Sequence, residues 1–206
     1  MIIHNIEQGS EAWHEIRCGR VTGTRFKALM AKDTTDTYKD LLTNIACEII
    51  THRAEETYSN ATMEKGIETE PIARAFYEEI TGNKVKTCGF ITRDEDDEFA
   101  EWIGVSPDGM PEGGLLEIKC PLMRTHMEYI MWNKLPTEYH KQVQGQLFTT
   151  GLPFCDFMSY CEGMKPFLIR IYPEPELFAV FEQRLRIAIT QVKELLNNYH
   201  KYSYDE

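Results

Sequence analysis

The sequence predicts a mixed α/β (α+β) domain in which a central mixed β-sheet is flanked by helices. Two observations carry this prediction. Several stretches repeat apolar residues at the three-to-four spacing of amphipathic helices, whereas short apolar or alternating runs bounded by turn residues fill the middle of the chain. No internal repeat and no Pro/Gly/Ser-rich linker divides the 206 residues, so we expect one domain over residues 1–206.

The helical stretches have recognisable boundaries. Pro71 inside one of them predicts a kink or a restart, and Gly151 with Pro153 ends another. Apolar spacing in the last helix is that of a core-packing stripe. The predicted helices are Arg25–Met30, Lys39–Arg53, Met63–Ile80, Arg124–Asn133, Thr137–Thr150 and a long helix after Pro175.

Short runs of residues that favour β-strands lie between and after these helical segments. The runs are rich in Val, Ile, Phe and Tyr, which suit a pleated and largely buried surface. The predicted strands are Val85–Ile91, Phe99–Val105, Leu115–Lys119, Cys155–Tyr160 and Phe167–Tyr172. Together they predict the mixed sheet.

Composition excludes several classes of protein. The chain has 22 Lys and Arg against 33 Asp and Glu, a net charge of −11, which excludes a simple basic protein that coats nucleic acid. Neither a signal-like start nor a run of about 18 apolar residues is present, so we expect a soluble protein without a membrane partner. Six cysteines without a C-x-x-C pair suggest neither a zinc site nor a disulfide framework, and we expect the reducing cytoplasm.

The most informative stretch runs from Ser106 to Pro121 and is predicted to form a β-hairpin. Side chains two apart on a strand share a face, so Glu117 and Lys119 should project together. Asp108, at the end of the preceding strand, could come back beside Glu117. Two such carboxylates can share a hard divalent cation, which suits phosphodiester hydrolysis with a lysine that orients or deprotonates the water. The alternative is an ordinary ion pair between Glu117 and Lys119 on an exposed strand.

The spacing of Pro107-Asp108, eight residues, and Glu117-Ile118-Lys119 resembles the core motif of the PD-(D/E)XK nucleases. More narrowly, the chain resembles the family of lambda exonuclease and the YqaJ-like viral recombinases. Blocks in the matching order cover most of the chain: Glu7-Gln8-Gly9, Trp13-His14 with Arg17, Val21-Thr22-Gly23-Thr24, Gly66 with Glu70, Ser106-Pro107-Asp108-Gly109, Leu116-Glu117-Ile118-Lys119-Cys120-Pro121 and Gln142-Val143-Gln144. A restriction-endonuclease-like core is the fold that this resemblance implies.

The resemblance also implies roles for individual residues. Asp108 and Glu117 would be metal-binding carboxylates, the backbone carbonyl of Ile118 would complete the metal shell, and Lys119 would activate the water. Glu70 would face the same metals, directly or through water. The implied cofactor is Mg²⁺, with Mn²⁺ able to substitute and two ions per active site.

A glutamine on the helix after the motif would hold the lysine amine or a water, and Gln142 matches the family position. Gln144 and Gln146 are competing candidates. Because Gln142 and Gln146 lie four apart on one helix face, an error of register would select Gln146.

Arg17, Thr24 and Ser106 resemble the family's pocket for a terminal 5′-phosphate, since guanidinium and hydroxyl donors match phosphate oxygens. Thr22 or Thr24 could instead be a helix N-cap. A further arginine expected in that pocket is not evident, and Arg25 or Lys32 could replace it. Trp13 is expected to be a core anchor rather than a base-stacking surface.

The resemblance implies a 5′ to 3′ exonuclease on double-stranded DNA with free 5′ ends, which releases mononucleotides and leaves 3′ single strands for recombination. It further implies a homotrimeric ring and a single-strand annealing protein as partner, in a phage or prophage within a bacterial cytoplasm. The alternatives are a structure-specific or restriction-type endonuclease of the same fold, and a DNA-end-binding module without catalysis.

Overall fold

The computed structural model describes residues 1–54 and 61–202, and its helices and strands are interspersed along the chain. The helices are α1 Glu11–Arg17, α2 Phe26–Leu29, α3 Asp36–Thr51, α4 Ala61–Thr81, α5 Met123–Trp132, α6 Thr137–Thr150 and α7 Pro175–Lys201, with a 3₁₀ turn at Gly23–Arg25. The strands are β1 Ile2–His4, β2 Val21–Thr22, β3 Phe90–Thr92, β4 Ile103–Gly104, β5 Leu115–Lys119, β6 Cys155–Ser159 and β7 Phe167–Ile171. The predicted mixed α/β class is confirmed.

The strands of the described residues form three sheets. β5 pairs with β6 in parallel and β6 with β7 antiparallel, so this three-stranded sheet is mixed. β1 pairs with β3 antiparallel and β2 with β4 in parallel. An isolated bridge joins Ile91 of β3 to Val105, directly after β4, and a second joins Gly109 to Leu116 of β5.

Helices cover the β5–β6–β7 sheet on both faces. Leu116 and Ile118 pack with Ala73 and Tyr77 of α4 on one face. On the other face, a cluster that includes Leu115 and Phe157 packs against α5 and α6 through Tyr129, Val143 and Leu147. Strand β5 is therefore buried on both sides, and every side chain that it carries lies inside the protein or at its edge.

A separate aromatic cluster joins α2, α6 and α7. The rings of Phe26 and Phe181 lie 4.9 Å apart, and Phe148 packs on both. Gly145 of α6 allows this close approach, because a Cβ atom there would meet the Phe26 ring at 2.4 Å. This cluster fixes α6 against the rest of the protein.

Several predicted elements were wrong in extent. Strand Val85–Ile91 is reduced to Phe90–Thr92, because Gly89 lies against the backbone of Ile6, where a Cβ would meet the carbonyl oxygen at 2.1 Å. Strand Phe99–Val105 is reduced to Ile103–Gly104. Strands β1 and β2 and helix α1 were missed, because they are only two, three or seven residues long.

The predicted hairpin at Ser106–Pro121 is also wrong in its first arm. Residues 106–108 lie outside any strand, and only Gly109 forms a bridge to Leu116. Pro107 and Pro111 have no N–H group to offer a ladder, which explains the loss of the arm. The helices kept their places: Thr137–Thr150 matches as predicted, and Pro71 lies within α4. No helix in the described residues combines the length and apolarity needed to cross a membrane.

The close contact at Gly145 yields a stability prediction. Gly145→Ala should destabilise the protein by roughly 1–3 kcal/mol, because the new methyl group overlaps a fully buried ring. The matched control is Gly66→Ala in α4, where a Cβ meets nothing within 4 Å and helix propensity favours alanine by roughly 0.5–1 kcal/mol. Urea unfolding midpoints of the two variants should therefore move in opposite directions. Equal shifts would contradict the packing described for Phe26.

Candidate active site

Glu117 and Lys119 lie side by side on one face of β5, as the period of the strand requires. The Lys119 ammonium donates a hydrogen bond to Glu117 Oε1. Glu117 is only 1% exposed, because α6 covers this face of the sheet. The alternative of an ordinary ion pair on an exposed strand is therefore wrong: this is a buried carboxylate.

Two glutamines of α6 complete the surroundings of the Glu117 carboxylate. Gln142 Nε2 donates to Oε1 at 2.5 Å, and Gln146 Nε2 donates to Oε2 at 2.6 Å. Gln144 points elsewhere, towards the Tyr172 carbonyl and the backbone N–H of Glu174. The structure thus places Gln144 away from Glu117, as the helical spacing predicted, whereas the candidates Gln142 and Gln146 both hold the same carboxylate.

Asp108 reaches the edge of β5 from the preceding loop. Its backbone N–H donates to the Leu116 carbonyl at 3.1 Å, and its Oδ2 accepts from the Ile118 N–H at 2.6 Å. A strand residue directs its N–H and its C=O to the same side, so the Ile118 carbonyl also faces the edge where Asp108 stands. The structure thus gathers Asp108, Glu117, Ile118 and Lys119 although the predicted hairpin is incomplete.

Glu70 comes from α4, on the opposite face of the sheet. It forms an ion pair with Arg74, one helical turn later, and Arg74 Nε also donates to the Asp108 carbonyl at 2.8 Å. Arg74 therefore ties the helical carboxylate to the loop that carries Asp108. The sequence analysis missed Arg74; its i,i+4 spacing from Glu70 was the available signal.

The three carboxylates influence one another electrostatically. Burial raises the pKa of Asp108 well above its ordinary value, and the negative charge of Glu117 adds to this. Burial likewise raises the pKa of Glu70, against the opposing charge of Arg74. Burial alone would lower the pKa of Lys119, but the charges of Glu117 and Asp108 outweigh it and raise that pKa.

The chemistry of this donor set fits a hard divalent cation. Carboxylate and carbonyl oxygens are the ligands that Mg²⁺ prefers. Burial raises the pKa of Asp108 and of Glu70 because it disfavours their charged forms, and a bound cation would offset that cost. Within residues 1–54 and 61–202, no three Asp, Glu, His or Cys side chains are grouped closely enough to hold a metal as they stand. The reason is visible in the contacts: Glu117 is turned to Lys119 and the glutamines, and Glu70 to Arg74.

Of the predicted phosphate-pocket residues, Arg17 and Thr24 line a cleft of about 880 Å³ between α1, the 3₁₀ turn and α3, and Ser106 contacts Arg17 beside it. Arg17 stacks on the Trp13 ring, with its guanidinium carbon 3.9 Å from the ring centroid, and donates to Ser106 Oγ at 3.2 Å. Trp13 Nε1 donates to the same oxygen at 2.9 Å. Trp13 is thus a half-buried wall of the cleft and not the expected core anchor.

Thr24 and Arg25 line the same cleft, whereas Lys32 does not, so only Arg25 is placed to replace the missing arginine. Arg25 forms an ion pair with the buried Glu48, which reduces the positive charge that it offers. Thr22 occupies the N-cap position of the 3₁₀ turn, but its side chain makes no capping hydrogen bond. Capping therefore does not explain the hydroxyl groups here.

Arg17 is a partly buried cation of this cleft, which Arg25 and Arg53 also line. Burial, together with the charge of Arg25, lowers the pKa of Arg17 to about 10. A lowered pKa of a cation means that charge is lost only as the pH rises through that value, so Arg17 remains charged at neutral pH. An anion in the cleft would offset the cost of burying this charge.

Comparisons with known proteins show the family and the fold of this chain. The family described as the YqaJ-like viral recombinase domain matches residues 12–153. An alkaline exonuclease, LHK-Exo from Laribacter hongkongensis, is 32% identical with a TM-score of 0.83, over 93% of this chain and 97% of that one. A second structure, described as LHK-Exo in complex with dAMP, is 33% identical with a TM-score of 0.82, over 92% and 96%.

A phage-related exonuclease from Haemophilus somnus 129PT has a TM-score of 0.70 over 87% of this chain and 96% of that one, at 15% identity, which supports the fold alone. No curated protein sequence gives a significant match.

The pair of amides around Glu117 yields a second prediction. Gln146→Met should destabilise the protein by roughly 1–3 kcal/mol, because it leaves Glu117 Oε2 without its donor inside the protein. The penalty should shrink in the Glu117→Gln background, where the buried charge is absent. A double-mutant cycle of urea unfolding free energies measures this coupling. Additive penalties would mean that Gln146 does not stabilise the Glu117 charge.

Proposed function

The chain belongs to the YqaJ-like viral recombinase domain family, and on this premise we propose that it is a Mg²⁺-dependent 5′ to 3′ exonuclease of double-stranded DNA. It would release mononucleotides and leave 3′ single strands for annealing. The observation that carries the proposal is that the Glu117–Lys119 pair lies on β5 where Asp108 accepts a hydrogen bond from the N–H of the intervening Ile118. The alkaline exonuclease relative, aligned over nearly the whole of both chains, supports nuclease chemistry.

Asp108, Glu117 and the Ile118 carbonyl would hold the Mg²⁺, with Glu70 supporting it directly or through water. Bound there, the ion would polarise the phosphoryl oxygen and acidify a water, and Mn²⁺ could supply the same chemistry. We propose that each active site would hold two such ions. Lys119 would orient the attacking water through its ammonium group or, in its neutral amine form, take the proton of that water. Gln142 would hold the Lys119 amine or the water through its amide oxygen, since its Nε2 already donates to Glu117.

The cleft beside Arg17 would receive the terminal 5′-phosphate. Arg17 supplies charged donors, and Thr24 and Ser106 supply hydroxyl groups, which together match a phosphate dianion. Because Glu48 partly neutralises Arg25, Arg17 would carry most of the affinity. The structure of a relative described as a complex with dAMP supports a deoxynucleotide as the class of product.

An acidic chain can act on DNA when its positive charge is gathered locally. The chain has a net charge of −11. A homotrimeric ring would confine positive charge to an inner channel and leave the acidic residues on the outer surface. Such a ring would also explain processive degradation of linear duplex. The proposed partner is a single-strand annealing protein, and the proposed setting is phage or prophage recombination in a bacterial cytoplasm.

The deciding experiment follows the two ends of one linear duplex. The purified protein is incubated with Mg²⁺ and DNA labelled separately at each 5′ and 3′ end, beside covalently closed circles and an EDTA control. We expect early release of the 5′ label as mononucleotide, 3′ labels retained on long single strands, and intact circles. Cut circles would indicate an endonuclease, and binding without cleavage would indicate a DNA-end-binding module; either result contradicts the proposal.

Lys119→Ala tests the assignment of the reacting group. We expect DNA and Mg²⁺ binding to persist while cleavage falls by at least 100-fold, because a general acid or base contributes roughly 10²–10⁴-fold. Lys39→Ala, an exposed lysine of α3, is the matched control and should retain full activity. Rates from the end-label assay and binding from fluorescence anisotropy separate the two effects. Full cleavage by Lys119→Ala would refute the mechanism.

Arg17→Ala tests the end-recognition cleft. Loss of charged hydrogen bonds to phosphate should reduce the preference for 5′-phosphorylated over 5′-hydroxyl ends by roughly 10- to 100-fold. Arg124→Ala removes an arginine whose side chain is 92% exposed and should leave the preference unchanged. Initial rates on the two kinds of end give the ratio directly. An unaltered ratio in Arg17→Ala would place the phosphate elsewhere.

A further inference from the structure

An aromatic ring lies beside the ammonium group of Lys119. Lys119 Nζ is 5.3 Å from the ring centroid of Tyr139, within the range in which a cation is attracted to an aromatic face. Tyr139 stands in the first turn of α6, one turn before Gln142. The same helix therefore presents an amide to Glu117 and a ring to Lys119.

The neighbours of Tyr139 hold the ring in place. It packs on Phe157 of β6 with centroids 5.4 Å apart, and on Tyr129 of α5 edge-on at 6.4 Å. Phe157 pairs in register with Glu117 across the parallel strands, so it shares the face that carries Glu117 and Lys119. The Tyr129 hydroxyl donates to Glu138 at 2.6 Å, which fixes that side chain in turn.

Three side chains donate hydrogen bonds to the Glu117 carboxylate. Oε1 accepts hydrogen bonds from both Lys119 and Gln142, and Oε2 accepts from Gln146. Each carboxylate oxygen has two lone pairs, so both lone pairs of Oε1 are occupied, and a divalent cation that binds Oε1 would displace Lys119 or Gln142. If the cation displaces Lys119 from Oε1, the ammonium loses its carboxylate partner inside the protein, at a high cost in free energy.

We propose that Tyr139 is a positioning residue whose ring face retains the Lys119 ammonium at the reacting position when Glu117 turns to the metal ion. The inference rests on the proposed function, since it assigns Tyr139 to the same site. It gives the ring a task that an aliphatic side chain of similar size cannot perform. The hydroxyl group is not required for that task.

The first test is spectroscopic and needs no cleavage. The ring current of Tyr139 should move the Lys119 Cε and Hε resonances upfield, with their assignment taken from their loss in Lys119→Arg. The upfield shift should persist in Tyr139→Phe, disappear in Tyr139→Leu, and increase when Mg²⁺ is added to the wild-type protein. An unchanged Lys119 signal in Tyr139→Leu, or a decrease of the shift on adding Mg²⁺, would overturn the proposal.

The second test is kinetic. Tyr139→Leu should lower kcat roughly tenfold with KM for DNA unchanged, whereas Tyr139→Phe should keep the wild-type kcat. Equal losses in the two variants would assign the effect to the hydroxyl group and overturn the proposal. If Tyr139→Leu does not fold, pentafluorophenylalanine at position 139 replaces it, because it keeps the shape of Phe while reversing the charge distribution of the ring. Activity equal to that of Tyr139→Phe would then overturn the proposal.

The two tests distinguish failure of this inference from failure of the proposed function. A wild-type protein that cleaves no DNA would refute the nuclease assignment in the end-label assay. The response of the Lys119 signal to Mg²⁺ and to the Tyr139 variants would still decide whether the ring holds the ammonium.

Discussion

The burial of the Glu117 carboxylate is the constraint on which the rest of the site depends. A charge inside a protein must be paired and hydrogen-bonded, and a strand covered on both faces offers no water for this purpose. Lys119 and the two glutamines of α6 donate the hydrogen bonds that water would otherwise donate to Glu117. The register of α6 against β5 is therefore fixed by polar contacts as well as by packing, and the proposed chemistry uses the same groups.

The opposite face of β5 follows from the same arrangement. Leu116 and Ile118 bind α4 through apolar packing, which brings Glu70 towards the strand edge where Asp108 lies. Arg74 connects the two, since it pairs with Glu70 and donates to the Asp108 carbonyl. Each helix layer thus supplies groups that hold a carboxylate near this strand: glutamines of α6 hold Glu117, and Arg74 of α4 holds Glu70. Burial at this edge raises the pKa of Asp108 and of Glu70, and the negative charge of Glu117 adds to both shifts.

The sequence pattern predicted correctly those strand and helix boundaries that depend on neighbouring residues in the chain. Strand Leu115–Lys119 and helix Thr137–Thr150 were predicted with the observed bounds, because an apolar run and a glycine stop define them. Val85–Ile91 failed because the approach of Ile6 to Gly89 is a tertiary contact with no local signal. For the same reason helical spacing could place Gln142 and Gln146 on one face but could not show that both reach Glu117.

The two proposed sites are joined by three residues of loop. Ser106 accepts hydrogen bonds from Arg17 and Trp13 at the cleft, and Asp108 accepts one from Ile118 at the acidic edge. Two residue steps span at most about 7 Å, and Pro107 restricts the conformation between them. A phosphate held at Ser106 would therefore lie close to the scissile group held at Asp108. In the proposed function this short, stiff spacing limits the cut to the terminal nucleotide, so the geometry of one loop would set the size of the product.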